Sequence, residues 1–132
     1  MIDITNEKQL FDFLKSQHIP DLEPSEHPTS RYDCYSDMYE LDIELKCRTS
    51  HYDNLLIEKK KYDALVERAM LFSTTPYYIN STPDGIWAFD LMKLPQPKWE
   101  ERSMPKTTFF ADNNNVMKVV GYINISQGMR LL

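Results

Sequence analysis

Apolar and charged residues alternate without a break along residues 41–48, and this stretch gives the clearest structural signal in the chain. Successive side chains of a β-strand point to opposite faces of the sheet. One face of the predicted strand is apolar and consists of Leu41, Ile43, Leu45 and Cys47. The other face carries acids and bases, namely Asp42, Glu44, Lys46 and Arg48. The pattern predicts a strand with one side in the core and a second side that is either solvated or functional.

Apolar residues at helical spacing predict two helices. Residues 6–17 form an amphipathic stripe, which is typical of a helix that packs one face on a core. Residues 54–72 carry the stronger repeat, and Pro76 marks the point by which that helix must stop. The start of the second helix is ambiguous, because Ile57 also fits a short extended segment that would delay the helix to Glu58.

Further strands are expected at residues 31–35, 39–48, 77–80, 85–91 and 116–125. The first two flank a turn at Ser36-Asp37 and are expected to pair as an antiparallel hairpin. Residues 81–85 contain the turn signal Pro-Asp-Gly, which predicts a second hairpin. The proline- and asparagine-containing residues 95–115 are expected to be irregular.

The length of 132 residues suits one domain with a substantial core, and we expect a single domain across residues 1–132. Hydrophobic residues make up 42% and charged residues 27%, as in ordinary globular proteins. No apolar run approaches the roughly 18 residues of a membrane span, and residues 1–5 lack the pattern of a signal peptide. We therefore expect no membrane partner and a cytoplasmic location. Cys34 and Cys47 form no CxxC pair, so a structural zinc site is not expected.

The net charge of −5 is unevenly distributed along the chain. Residues 1–45 contain 11 acidic and 3 basic side chains, whereas residues 46–132 contain 9 acidic and 12 basic ones. The basic part begins at Lys46 and includes the lysine run at residues 59–61. Clustered acids beside bases suit a metal site next to a path for phosphates, although an inert uneven surface would give the same distribution.

The order of these features resembles the PD-(D/E)xK nuclease superfamily, the fold of many restriction endonucleases, archaeal Holliday-junction resolvases and phage exonucleases. The segments that carry the resemblance are Arg31-Tyr32-Asp33, Ile43 to Arg48 and Leu56 to Leu65. The resemblance spans residues 6–91 and is strongest to small phage and prophage members. It implies an α/β (α+β) fold with a restriction-endonuclease-like core, in which a small mixed β-sheet is flanked by helices.

The resemblance also implies roles for individual residues of the hairpin. Asp33 corresponds to the first acid of the family motif, and Glu44 and Lys46 correspond to its (D/E)xK element, 11 residues further on. Asp33, Glu44 and the backbone carbonyl of Leu45 would then bind Mg²⁺ or Mn²⁺ through oxygen atoms. Lys46 would position the attacking water or stabilise developing charge.

Further candidates lie on the helices and on the strand. Lys61, on the helix after the motif, is expected to contact the phosphate as a catalytic residue, and Lys59 and Arg48 are expected nucleic-acid contacts. Glu7, on the first helix, is an additional candidate acid of the kind some resolvase-like members have. Asp42 shares a strand face with the motif and is a second additional candidate.

The resemblance favours a metal-dependent nuclease that hydrolyses nucleic-acid phosphodiester bonds, with DNA as the expected partner. It implies an endo- or exodeoxyribonuclease from a phage or mobile-element setting, and it allows a homodimer. One alternative is a non-catalytic nucleic-acid-binding or assembly module that keeps the same fold. A second is an unrelated α+β interaction domain whose charged strand face is solvated. The relative placement of Asp33, Glu44 and Lys46 distinguishes these readings.

Overall fold

The computed structural model describes residues 3–26, 32–105 and 115–132. Within them lie two α-helices, α1 (Glu7–Gln17) and α2 (Lys59–Phe72). The strands are β1 (Glu23–Pro24), β2 (Cys34–Ser36), β3 (Leu41–Cys47), β4 (Asn54–Glu58), β5 (Thr75–Thr82), β6 (Gly85–Asp90), β7 (Glu100–Pro105), β8 (Asn115–Asn124) and β9 (Met129–Arg130). Arg31, which was expected to begin a strand, lies outside the described residues.

The strands form a six-stranded sheet in the order β1-β2-β3-β5-β6-β9 and a three-stranded sheet in the order β4-β8-β7. β3 and β5 run parallel, whereas the other neighbouring strands of both sheets run antiparallel. A parallel pair needs a crossover connection, and here the crossover contains β4 and α2. The expected mixed sheet flanked by helices is therefore confirmed.

The predicted hairpin of β2 and β3 is confirmed, with Cys34 opposite Ile43 in antiparallel register. The bounds of its arms differ from those expected: β2 begins at Cys34 and includes Ser36, which was expected in the turn, and β3 covers Leu41–Cys47 and not residues 39–48. Asp21, which precedes the hairpin in the chain, stabilises the turn between β2 and β3. Its carboxylate accepts a hydrogen bond from Ser36 Oγ at 2.6 Å and one from Met38 N at 2.8 Å. These bonds fix the direction in which the chain enters β3.

Both faces of the six-stranded sheet are covered. On one face, α1 packs into a core made of Leu10, Leu14, Ile43, Leu45 and Ile79 with their neighbours. On the other face, α2 packs into a second core that includes Tyr62, Leu65, Tyr78, Trp87 and Phe89. The charged side of β3 lies under α2, so Asp42 is 2% exposed and Glu44 is 8% exposed. A solvated strand face, one of the two readings of the alternation, is therefore wrong for these acids.

The boundaries of α2 differ from the first of the two predictions. Residues 54–58 form β4, which pairs with β8, and the helix begins only at Lys59. Leu55 and Ile57 are buried, and their spacing of two residues places them on one face of a strand. The helix ends at Phe72 because Ser73 adopts a left-handed conformation with φ 57°, before Pro76 is reached.

The expectation that residues 95–115 are irregular is wrong for β7, which pairs with β8 from Glu100–Val120 to Pro105–Asn115. Residues 106–114 of that expectation lie outside the described residues. The predicted hairpin of β5 and β6 is confirmed. Neither described helix has the length and apolar character needed to cross a bilayer.

Gly121 marks the place where β8 packs against the segment before β7. A Cβ atom at this position would lie 2.5 Å from Pro97 Cβ and 3.1 Å from two ring atoms of Trp99. We therefore expect Gly121→Ala to lower the free energy of unfolding by about 1–3 kcal/mol, as overpacking does. Urea denaturation measures the change. Met117→Ala, at an exposed position of the same strand, is the control and is expected to stay within about 0.5 kcal/mol of the parent; equal stabilities for the two variants would contradict the close packing.

Candidate active site

Two hydrogen bonds from β3 fix Asp33, the residue just before β2. Asp33 N donates to Ile43 O at 2.8 Å, and Leu45 N donates to Asp33 Oδ2 at 2.7 Å. The N–H and C=O of one strand residue point toward the same neighbouring strand. The carbonyl of Leu45 therefore points to the edge of β3 where the Asp33 carboxylate lies.

Glu44 lies on the face of β3 that α2 covers. Lys61 Nζ, from the first turn of α2, lies 3.1 Å from Glu44 Oε2 and forms an ion pair with it. Lys60, one position earlier on the helix, is exposed. Of these two neighbouring lysines, Lys61 is therefore the one that the structure brings to an acid of the hairpin.

The two acids of the hairpin are adjacent, and burial shifts their titration. Burial, followed by the charge of Asp33, raises the pKa of Glu44 to about 7, against the opposing effect of Lys61. Burial also raises the pKa of Asp33, although the hydrogen bond from Leu45, the charge of Lys61 and a hydrogen bond between the Asp33 and Glu44 side chains lower it. Both carboxyls therefore hold their protons more tightly than exposed acids do, because burial and their proximity disfavour two negative charges at this place.

Lys46 and Glu7 complete the electrostatic surroundings of this pair. Burial, and then the charges of Arg48 and Lys61, lower the pKa of Lys46. Burial, and then the charge of Asp33, raise the pKa of Glu7, which stands at the start of α1. Much of the Glu7 residue stays accessible to solvent, but its carboxyl is partly removed from water and interacts with the charges of Asp33, Lys46 and Lys61.

The oxygen atoms of the site suit a small divalent cation. Asp33 and Glu44 supply two carboxylates, and the Leu45 carbonyl points to the same edge. Mg²⁺ characteristically takes one or two carboxylates and keeps several of its waters. Among the described residues, no group of three or more His, Cys, Asp or Glu side chains is arranged to hold a metal. The groups that could hold such an ion are the two carboxylates and the Leu45 carbonyl, and the role of Glu7 as an additional acid stays a prediction.

Asp42 shares the strand face of Glu44 but is bound elsewhere. Its carboxylate accepts a hydrogen bond from Thr74 Oγ1 at 2.7 Å and lies 3.4 Å from Arg68 Nε. Both partners stand toward the far end of α2 from Lys61. Asp42 therefore has Arg68 and Thr74 as its partners and is not brought into the cluster of Asp33, Glu44 and Lys61.

Arg48 and Lys59 were expected to contact nucleic acid, and the structure engages both with other groups. The Arg48 guanidinium donates to Asn80 Oδ1 at 2.8 Å, to Leu56 O at 2.5 Å and to Tyr78 Oη at 3.1 Å. These bonds use it as an internal link between strands.

Lys59 turns away from the site. Its Nζ lies 2.5 Å from Asp63 Oδ2 and 5.7 Å from the centre of the Trp99 ring. Lys59 and Lys61 are separated by about 200° around the helix axis, so only one of them can face Glu44. The structure assigns that position to Lys61.

Glu58 is the charged residue of this region that the sequence reasoning missed. It ends β4 and caps α2, and its charge opposes the lowering of the pKa of Lys46 and adds to the raising of the pKa of Lys61. It also pairs with Lys118, whose Nζ lies 3.2 Å from Glu58 Oε1. An acid at the junction of strand and helix was the available signal, and assigning residues 54–58 to the helix concealed it.

The fold matches that of a solved nuclease. The 1.6 Å resolution structure of Archaeoglobus fulgidus Hjc, a Holliday junction resolvase from an archaeal hyperthermophile, superimposes with a TM-score of 0.61 at 16% sequence identity. The match covers 95% of this chain and 88% of that one. No protein-family model and no curated protein matches the sequence. The likeness shows the fold, and the expected restriction-endonuclease-like core is confirmed; the likeness to phage members stays a prediction.

The raised pKa of Glu44 predicts how stability depends on pH in the metal-free protein. Its unfolded-state pKa is near the ordinary 4.5 and its folded-state pKa is about 7. The folded state therefore holds the proton more tightly, which stabilises it fully below pH 4.5 and no longer above about 7. Asp33 and Glu7, whose pKa values are also raised, act in the same direction. We expect the free energy of unfolding in EDTA to fall as the pH rises through this window.

Urea titrations at a series of pH values measure this effect. Glu44→Gln removes the titrating group and is expected to flatten the profile, whereas Glu101→Gln, at an exposed position of β7, should keep the parental slope. A free energy of unfolding that increases steadily between pH 4.5 and 7 would show that Glu44 is not buried beside Asp33 as described.

Proposed function

We propose that the protein is a metal-dependent nuclease that hydrolyses phosphodiester bonds of DNA, with the activity carried by one domain. The observation that carries the proposal is the meeting of Asp33 and Glu44 at one edge of β3, with Lys61 on Glu44 and with Lys46 two residues further along the same strand. The description of the matched structure as a Holliday junction resolvase supports DNA as the substrate class.

Asp33, Glu44 and the Leu45 carbonyl would hold Mg²⁺ or Mn²⁺, which when bound supplies Lewis-acid stabilisation of the phosphate and a more acidic water. The protein's own groups do the rest of the work. Lys46, whose pKa is lowered by burial and by the charges of Arg48 and Lys61, would hold the attacking water through its Nζ and is a candidate for the group that exchanges its proton.

Lys61 is placed to stabilise charge on the phosphate. In the metal-free protein its ammonium compensates Glu44 at 3.1 Å, and it remains 55% exposed, so it can reach outward. A lysine ammonium next to a non-bridging phosphate oxygen stabilises the negative charge that develops there. Lys61 therefore has one role before substrate binds and another role afterwards.

A non-catalytic nucleic-acid-binding or assembly module with the same fold is the second candidate. The net charge of −5 and the internal bonds of Arg48 favour it, because both reduce the cationic surface available to DNA. Metal binding separates the two candidates, since a nuclease site must bind Mn²⁺ and a degenerate one need not. The phage setting and the cytoplasmic location are further parts of the proposal.

Lys46→Ala tests the proposed chemistry. We expect it to reduce Mg²⁺-dependent cleavage of labelled DNA by roughly 10²–10⁴-fold, the range for loss of a general acid–base or charge-stabilising group. The melting temperature and Mn²⁺ binding should be retained, whereas Glu44→Ala should lose Mn²⁺ binding as well, as measured by calorimetry. Lys93→Ala, at an exposed lysine after β6, is the control. Cleavage that needs no divalent cation, or that survives Lys46→Ala, would reject the mechanism.

Lys60 and Lys61 form a matched pair for a second test. They are adjacent and both exposed, but only Lys61 contacts Glu44. We expect Lys61→Ala to weaken DNA binding or turnover by about tenfold or more, the loss of one charge-assisted phosphate contact, and Lys60→Ala to have little effect. Equal effects of the two substitutions would make the lysine run a general basic surface.

A further inference from the structure

β7 and β8 form a two-stranded ribbon that continues past the candidate site. β4 pairs with β8 only as far as Glu58–Val120, whereas β7 stays paired with β8 to Pro105–Asn115. Beyond Val120 the ribbon therefore pairs with no third strand among the residues that the structure describes, and Lys118 holds it next to Glu58, the residue before α2. A two-stranded ribbon is a shape that fits against duplex DNA, whose major groove admits one.

One face of the ribbon is directed toward the site. Val120 is fully buried against the body of the protein, and side chains alternate along a strand, so Lys118 shares its face. Arg102 stands opposite Lys118 in register and donates a hydrogen bond to Tyr122 Oη, which places it on that face too. The opposite face presents Met117, which is 62% exposed.

Glu58 connects these cations to those of the site. It pairs with Lys118 at 3.2 Å, and it lies within electrostatic reach of Lys46 and Lys61. The Glu58 carboxylate thus interacts both with the cations of the site and with Lys118 of the ribbon. The acceptor of the Arg102 hydrogen bond, the hydroxyl of Tyr122, is a neutral group.

The other cations of this region are turned to different uses. Arg48 bonds internally, Lys59 pairs with Asp63, and Arg68 lies between the rings of Tyr32 and Phe72. Among the cations discussed above, Arg102 and Lys118 are therefore the two that extend the basic part of the candidate site along the ribbon. Because the net charge is −5, the remaining surface repels phosphate on average. DNA binding would therefore depend strongly on such a localised basic contact.

We infer that the ribbon is a DNA-contacting arm, in which Arg102 and Lys118 bind backbone phosphates that flank the cleaved bond and Glu58 restrains the charge of Lys118. The inference rests on the proposed function. The competing explanation is structural: the Glu58–Lys118 pair could simply fasten the ribbon to α2. The two explanations predict opposite effects of removing Glu58.

The test is equilibrium binding of a fluorescent DNA duplex in EDTA, by anisotropy, over a series of NaCl concentrations. Arg102→Ala and Lys118→Ala are each expected to weaken binding and to reduce the slope of log K against log salt by about 1, because each removes one phosphate contact. Glu58→Gln is expected to tighten binding, because it frees Lys118. Lys118→Arg keeps the charge and should keep the parental slope.

Melting temperatures identify variants that are not folded, and Lys93→Ala serves as the control at an unrelated exposed lysine. Unchanged slopes for Arg102→Ala and Lys118→Ala, or weaker binding by Glu58→Gln, would overturn the inference while cleavage by the parent leaves the proposed function standing. A parent protein that neither binds nor cleaves DNA in Mg²⁺ would overturn both. Reduced slopes together with tighter binding by Glu58→Gln would support the arm.

Discussion

Because β3 and β5 run parallel, the chain between them must leave the sheet, cross it and return on one of its faces. The element that does so is α2, which covers the charged side of β3. The acids of that side are then removed from water, and each meets a cation of the helix: Glu44 meets Lys61 and Asp42 meets Arg68. The arrangement of charge in this protein is in this sense a consequence of its strand order.

Burying acids is unfavourable unless their charge is compensated. Asp42 is compensated by both a hydroxyl and a guanidinium, whereas Asp33 and Glu44 stand next to each other with one lysine in direct contact. Burying these two acids lowers the stability of the metal-free fold. Under the proposed function, a cation that binds only the folded state would raise the stability again.

The sequence predicted those features whose signal is local. The alternation of β3 identified its two faces, and the spacing of 11 residues between Asp33 and Glu44 suited the hairpin that joins them. It could not tell whether the polar face would be covered, because that depends on where α2 lies. The pairing of β7 with β8 was missed because the prolines and asparagines of residues 95–115 indicated irregular structure. Arg48 was assigned to the surface because its acceptors, Asn80 and Leu56, come from other strands.

The side chain of Arg48 connects the two sheets. Its guanidinium bonds Asn80 and Tyr78, which belong to the six-stranded sheet, and also Leu56, which belongs to the three-stranded sheet. A planar group with donors in fixed directions tolerates little rotation between the elements it joins. The ribbon is an extension of the second sheet, so its angle to β3 is set partly by this one side chain. Arg48 therefore limits how far the three-stranded sheet, with its β7–β8 extension, can rotate relative to the six-stranded sheet that contains Glu44.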